Sequence, residues 1–158
     1  MRARSLAARQ AAAEAAAAGE RMLVCRVGAD LYGLPMAEVA KVRPFTRWGA
    51  AAGGHPAMLG LVADEGEVRP ALDMAALLGG PAAAASTGGW LLILAPPHKA
   101  ALRLQDLPVA AEVEPLPQDD AGRARVLAGE HQDKLLVTLT AHELLAHAKS
   151  SPHGAAAP

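Results

Sequence analysis

Short apolar runs alternate with polar or glycine-bearing turns along most of the 158-residue chain. Met22–Val27 is mainly apolar, residues 28–30 read Gly-Ala-Asp, and Leu31–Leu34 resumes the apolar pattern. Two such runs separated by a short turn predict a β-hairpin. In residues 36–42 an apolar residue recurs every three positions, which fits either a helical turn or an irregular strand.

Two later stretches, Leu61–Gly79 and Ala128–Ala146, align with each other without a gap. Each reads as strand, polar turn, strand, cap residue and short helix. Asp73 caps the first helix, and Thr140 with Glu143 forms a capping box at the second. Two copies of one unit predict two small, similar β subdomains that share a core, because neither is large enough to be stable alone.

Further short strands are predicted at Trp90–Leu94, Ala100–Leu104 and Val109–Val113, with a turn at residues 96–99. Many short strands separated by turn residues favour barrels or a sandwich over a parallel sheet. The predicted fold class is therefore mainly β.

The two ends of the chain differ from this pattern. Residues 1–21 are alanine-rich, which favours a helix, but they offer little bulky apolar surface for docking. We expect a frayed or partner-dependent N-terminal arm there, a folded domain over residues 22–149, and a disordered tail over residues 150–158.

The composition narrows the class of protein. The net charge is −1, and no clustered basic surface of the kind that nucleic-acid binders carry is visible. A single cysteine, Cys25, excludes an internal disulfide and fits a reducing compartment. No apolar stretch approaches the roughly 18 residues of a membrane span, and the start has no leucine-rich signal. We expect a cytoplasmic protein with no direct membrane insertion.

Candidate catalytic and metal-binding motifs fail one by one. Phosphate-binding glycine loops and the GxSxG elbow are absent from the sequence. The segment His142–His147 resembles the zinc motif HExxH but is one residue too long, which places the two imidazoles about 140° apart around a helix. Cys25 shares a strand face with apolar neighbours, so we expect a buried, unreactive thiol. The sequence predicts no enzyme, no cofactor and no metal site.

Two segments resemble the CheW family. Leu23–Arg43 reads LVCRVGADLYGLPMAEVAKVR, with a strand, a glycine-bearing turn, a Tyr-Gly-aliphatic strand, and a Val after an acidic position. Pro56–Gly79 reads PAMLGLVADEGEVRPALDMAALLG, where the family commonly reads P…GLINLRGEVLPVIDLRxLLG. The matching positions in the second segment are Gly60, Gly66, Glu67, Val68, Pro70, Asp73 and Leu77. The closing segment Lys134–Leu145 also resembles the family's ending, so the resemblance covers about 125 residues.

The resemblance implies two intertwined five-stranded β-barrels around a common core. It also implies a non-enzymatic adaptor that links the cytoplasmic tip of chemoreceptors to the regulatory domain of a CheA-type histidine kinase. The positions expected to contact partners are Val39, Gly60, Glu65 and Gly66. Structural roles are expected for Pro70, which implies an edge strand or a bulge, and for Asp73, Thr140 and Glu143.

The chain departs from the family in the second segment, where Ala63, Asp64 and Glu65 stand in place of the family's Asn-Leu-Arg before the turn glycine. Glu65 stands where the family has an arginine, and Arg69 replaces a usual aliphatic residue. Glutamate lacks the five-donor fork of arginine, so a partner facing Glu65 should offer a basic residue. The alternative is that Asp64, Glu65 and Glu67 only solvate the end of a hairpin.

A second functional hypothesis is a regulatory or small-ligand-sensing β-barrel domain outside the receptor array. Its mark would be a closed apolar pocket between the barrels, since ligand sites are concave and largely apolar.

Overall fold

A computed structural model describes residues 20–46, 49, 55–80, 88–117 and 122–149. Most of the predicted N-terminal arm and the predicted tail lie outside these residues. The strands are β1 (Glu20–Val27), β2 (Asp30–Pro35), β3 (Val39–Pro44), β4 (Met58–Asp64), β5 (Glu67–Asp73), β6 (Trp90–Leu94), β7 (Ala101–Leu104), β8 (Val109–Pro115), β9 (Arg123–Val126) and β10 (Leu135–Thr138). The helices are a 3-10 turn (Met36–Glu38), α1 (Met74–Leu77) and α2 (Ala141–Lys149). The domain is mainly β, as predicted.

One half of the domain is a closed barrel in the strand order β1-β2-β10-β9-β8. The β2–β10 pair is parallel and its other pairs are antiparallel. The barrel closes because β8 makes backbone hydrogen bonds to both β1 and β9. Gly33 in β2 faces a tightly filled interior, where an added Cβ would lie 2.8 Å from the Met22 sulfur and 3.0 Å from the Leu136 Cδ1.

The other half is a five-stranded sheet in the order β3-β6-β7-β5-β4, with β5 and β7 parallel. Its outer strands are β3 and β4. Among the described residues one isolated backbone bridge, between Gly49 and Leu61, reaches β4 from the segment that follows β3. The expectation of two barrels is therefore met by one closed barrel and one sheet whose outer strands do not form a backbone ladder with each other.

The two halves have equivalent topology. Reading the barrel as β8-β1-β2-β10-β9 places each strand opposite its counterpart in β3-β6-β7-β5-β4. In each half the parallel pair contains the strand that leads into a helix, β5 before α1 and β10 before α2. The two similar subdomains inferred from the repeat are present, and they are intertwined because β1 and β2 join strands from the end of the chain.

The second copy of the repeat differs from the prediction in one strand. The gapless alignment predicted a strand at the start of Ala128–Ala146, but β9 ends at Val126 and residues 128–133 form turns. The cause is the connection between the last two strands. Residues 127–134 join β9 to β10, whereas only Glu65 and Gly66 join β4 to β5.

A shared core joins the two halves. Buried side chains of the barrel, among them Leu23, Cys25 and Leu34, pack in one cluster with those of the sheet and the helices, among them Leu72, Met74, Leu92, Leu102 and Leu144. Each half also has a smaller apolar cluster of its own, one within the sheet and one within the barrel. Burying one leucine of the shared cluster stabilises the fold by about 1.5–3 kcal/mol, and in this cluster each buried side chain contributes to the packing of both halves.

Two local predictions are resolved by the structure. The segment after β2 contains both alternatives in succession, a 3-10 turn over Met36–Glu38 and then β3. The hairpin predicted from the first apolar runs is β1–β2, and Cys25 lies on its buried face with Leu23. Within the described ranges the chain forms no helix long and apolar enough to cross a membrane.

Candidate interaction surface

The β4–β5 hairpin ends in a two-residue turn formed by Glu65 and Gly66. Both residues have positive φ, +47° and +80°, as a type I′ hairpin turn requires. Gly66 adopts this conformation without a steric cost, but a residue with a Cβ pays about 1 kcal/mol there. The Glu65 side chain is 80% exposed, so the turn presents a carboxylate at the surface.

Lys41 of β3 binds the end of this hairpin. Its ammonium lies 3.1 Å from a carboxylate oxygen of Asp64 and 3.1 Å from one of Glu65. The hydrogen bonds to Asp64 and then to Glu65 raise the pKa of Lys41 above its ordinary value. The charged ammonium of Lys41 thus bridges the two carboxylates.

Arg43, two residues further along β3, makes a second link. It donates a 2.6 Å hydrogen bond to the Ala63 carbonyl, and its Nε lies 4.0 Å from Asp64. We call the contact of Lys41 and Arg43 with residues 63–65 the seam. It joins the outer strands of the sheet through side chains, and it covers polar backbone that an edge strand would otherwise expose.

On the β5 side of the same hairpin, Arg69 forms hydrogen bonds that link the hairpin to the end of β6. Its side chain is only 13% exposed, and it donates hydrogen bonds to the Leu94 carbonyl at 3.2 Å and to Glu67 at 3.2 Å. An aliphatic residue would make neither bond. Three departures from the family pattern, Asp64, Glu65 and Arg69, thus take part in ion pairs within the chain.

The comparisons with known proteins bear on this surface. The model of the CheW-like domain family matches residues 21–149. The chain belongs to the CheW-like domain family. Its fold is similar to the crystal structure of the scaffolding protein TtCheW from Thermoanaerobacter tengcongensis, with a TM-score of 0.61 and 19% identity over 80% of this chain and 92% of that chain. No curated protein matches the chain. Family membership supports an adaptor or scaffold role in chemotaxis-like signalling.

The four positions predicted to contact partners of a CheW-like domain lie on the two strands that the seam joins or in the turn that follows β4. Val39 begins β3, is half-buried, and packs against the shared core. Gly60 lies in β4 with φ +145°, at an irregularity in the pairing with β5, and is buried. Of the four positions, Glu65 and Gly66 are the exposed ones.

Pro70 does not lie in an edge strand. Strand β5 is flanked by β4 and β7, but its ladder with β7 begins only at Ala71. The missing amide hydrogen of proline is therefore tolerated on that side, because Pro70 precedes the paired stretch. The register shift in the β4–β5 pairing lies opposite Leu72 and Ala71, whereas Pro70 itself pairs regularly with Leu61.

Asp73 begins α1 and also makes a buried ion pair. One carboxylate oxygen accepts a 3.2 Å hydrogen bond from the Ala76 amide, as an N-cap does. The other oxygen lies 3.2 Å from Arg103 of β7, and both side chains are less than 10% exposed. Arg103 also donates to the Gly88 carbonyl and to Gln105. This pair fixes α1 to the middle of the sheet.

The start of α2 connects the two halves. Thr140 accepts a 3.0 Å hydrogen bond from the Glu143 amide, while the Glu143 carboxylate accepts one from the Thr140 hydroxyl at 3.1 Å. The sequence motif did not reveal that Glu38, from the 3-10 turn, accepts a hydrogen bond from the Ala141 amide at 3.2 Å. The residue preceding Val39 thus anchors a helix of the barrel half.

The residues weighed as chemical candidates are scattered. His142 and His147 are exposed on α2, and the described residues hold no group of three or more metal-ligating side chains. Burial raises the pKa of the Cys25 thiol to about 12, so it is protonated and unreactive at neutral pH.

Two surface cavities have charged linings. A cavity of about 680 Å³ beside β2 and β10 is lined by Arg26, Asp30, Tyr32, His131, Lys134 and Leu135, among others. A cavity of about 440 Å³ between the halves is lined by Arg26, Val27, Asp73, Arg103, Gln105 and Asp106, among others. The second occupies the place where a ligand sensor was expected to have an apolar pocket, but its lining is about equally polar and apolar.

The sequence did not identify Lys41, Arg43 or Val68 as parts of this surface, although Val68 matches the family pattern. Lys41 and Arg43 are two residues apart on β3, so their side chains lie on the same face of the strand. The sequence does not show that this face contacts the β4–β5 hairpin. Val68 of β5 is 50% exposed and lies beside the hairpin tip. Because side chains alternate along a strand, Val68 faces the opposite side of β5 from the largely buried Arg69.

Proposed function

We propose that the chain is a non-enzymatic cytoplasmic adaptor that binds a chemoreceptor tip and the regulatory domain of a CheA-type histidine kinase. The observation that carries the proposal is the family match over residues 21–149. Interaction modules of this size work through exposed β surface and need no catalytic residues.

The β4–β5 hairpin and the seam are the surface that we assign to partner binding. The hairpin tip exposes Glu65, and Val68 offers an apolar contact beside it. Arg69 and the seam hold the hairpin on both sides, so the surface is ordered before a partner arrives. Such preorganisation reduces the entropic cost of association.

Isothermal titration calorimetry with a receptor-tip fragment and with the isolated kinase regulatory domain tests the proposal. We expect dissociation constants around tens of micromolar, as for weak transient contacts. Binding of neither fragment at concentrations of roughly 100 µM would refute the adaptor role.

A pair of matched variants locates the surface. Val68→Asp places a charge on the hairpin, and Leu107→Asp places one at a leucine of similar exposure, 56%, in the loop after β7. We expect Val68→Asp to weaken binding of at least one fragment about tenfold, because the interface would bury an unpaired charge. Leu107→Asp should leave the affinity unchanged. Equal affinities for both variants and the parent would exclude the hairpin as the binding surface.

A further inference from the structure

The charge reversal at position 65 admits two explanations with opposite consequences. A carboxylate in place of an arginine is matched either by a cation on the partner or by a cation within the same chain. The structure contains the second match, because Lys41 lies 3.1 Å from Glu65 and 3.1 Å from Asp64.

We propose that Lys41 is a specificity-determining residue, which neutralises the hairpin tip so that the tip fits an uncharged partner surface. This inference rests on the proposed function and names the chemistry of the partner at that site. It replaces the expectation that the partner offers a basic residue to Glu65.

The charges around the tip support this assignment. Two cations of β3, Lys41 and Arg43, face the two carboxylates Asp64 and Glu65, so the seam carries no net charge. The Asp64 side chain is only 9% exposed and is held by both cations. Its charge is therefore directed inward, away from a partner.

The ion pair between Lys41 and Glu65 is the solvent-exposed part of the seam, and its strength depends on salt. Its side chain is 80% exposed and that of Lys41 is 36% exposed, so salt screens the pair. Removing Lys41 would leave two adjacent carboxylates with Arg43 as the remaining cation of the seam. An uncharged partner would then have to desolvate an excess negative charge, which opposes binding.

The test is a cycle of Lys41→Met, Glu65→Gln and the double variant, measured by calorimetry with the receptor-tip and kinase fragments at low and high salt. Glu114→Gln is the control, because Glu114 forms a 2.9 Å ion pair with Arg125 on the barrel. We expect the control to change the affinity less than about twofold. Lys41→Met and Glu65→Gln each leave one unbalanced charge at the seam, so each should weaken binding about two- to fivefold at low salt. The double variant is neutral again and should restore most of the loss.

Two results would overturn the inference. Stronger binding by Lys41→Met, or a double variant that binds as weakly as Glu65→Gln, would mean that Glu65 meets a basic residue of the partner. Unchanged affinity in all three variants would mean that the pair does not affect specificity.

Thermal unfolding of the parent, the two single variants and the double variant distinguishes a failure of the role of Lys41 from a failure of the proposed function. Non-additive shifts in melting temperature report the Lys41–Glu65 pair without any partner. If the parent binds neither fragment, the adaptor role fails and the specificity role fails with it, whatever the unfolding cycle shows. If the parent binds but the cycle is additive, only the role of Lys41 fails.

Discussion

The two five-stranded halves have the same strand order but different closures. In the barrel, β8 completes the circle with backbone hydrogen bonds to β1 and β9. In the sheet, the corresponding strands β3 and β4 are joined by the side chains of Lys41 and Arg43, and a bridge at Gly49 reinforces the contact. Backbone bonds persist through most substitutions, whereas a side-chain closure changes with each residue that forms it. The sheet half can therefore vary its surface charge while the strand order stays the same.

Disrupting the core that both halves share should have the largest effect. Leu102 of β7 is fully buried in the common cluster, so Leu102→Ala should lower the free energy of unfolding by about 3–5 kcal/mol. Urea denaturation should show one cooperative transition for both halves. Leu107→Ala, at an exposed leucine, should change the free energy of unfolding by less than about 0.5 kcal/mol. Two separate transitions in Leu102→Ala would contradict a shared core.

The buried ion pair of the sheet half comes next. Asp73→Ala removes the cap of α1 and the carboxylate beside Arg103, and we expect a loss of about 3 kcal/mol. The exposed Asp106, changed to Ala, serves as the control and should have little effect. A loss below about 1 kcal/mol for Asp73→Ala would show that the pair contributes little to the fold.

Weakening the seam should have a smaller, salt-dependent effect. Arg43→Met removes the hydrogen bond to the Ala63 carbonyl and should lower the free energy of unfolding by about 1 kcal/mol at low salt. Arg125→Met, which removes an exposed ion pair of the barrel, should have less effect because the barrel closes through its backbone. An equal loss in both variants would remove the distinction between the two closures.

The smallest predicted change is a gain. Glu65→Asn should raise the free energy of unfolding by about 0.5 kcal/mol, because asparagine tolerates positive φ better than glutamate. Glu67→Asn, at the start of β5, should give no gain since asparagine is disfavoured in strands. Chemical denaturation measures both. A loss in Glu65→Asn would show that the contact with Lys41 outweighs the strain of the turn.

Much of the fold could be predicted from local pattern. The β1–β2 hairpin, the strands Trp90–Leu94 and Val109–Val113, and the doubled unit all follow from alternation and turn residues. The strand expected at the start of Ala128–Ala146 was wrong, because a gapless comparison cannot place a longer connection. Whether each sheet closes into a barrel could not be predicted from the sequence either, because closure depends on the twist and coiling of all five strands.

The surface was less accessible to prediction than the fold. The position of Glu65 at a hairpin turn followed from its neighbours, but its partner Lys41 lies 24 residues away on another strand. Glu38 is separated from Ala141 by 103 residues. Contacts of this kind depend on tertiary packing, which local residue pattern does not specify.

We propose that the sheet half, rather than the closed barrel, presents the partner-binding surface of this CheW-like domain. The most direct test follows amide chemical shifts while the isotopically labelled protein is titrated with the receptor-tip fragment and, separately, with the kinase regulatory domain. With at least one of the two fragments, we predict the largest shifts at Lys41, Arg43, Gly66 and Val68. Shifts confined to β8 and β9 with both fragments, and none at the seam, would contradict this assignment.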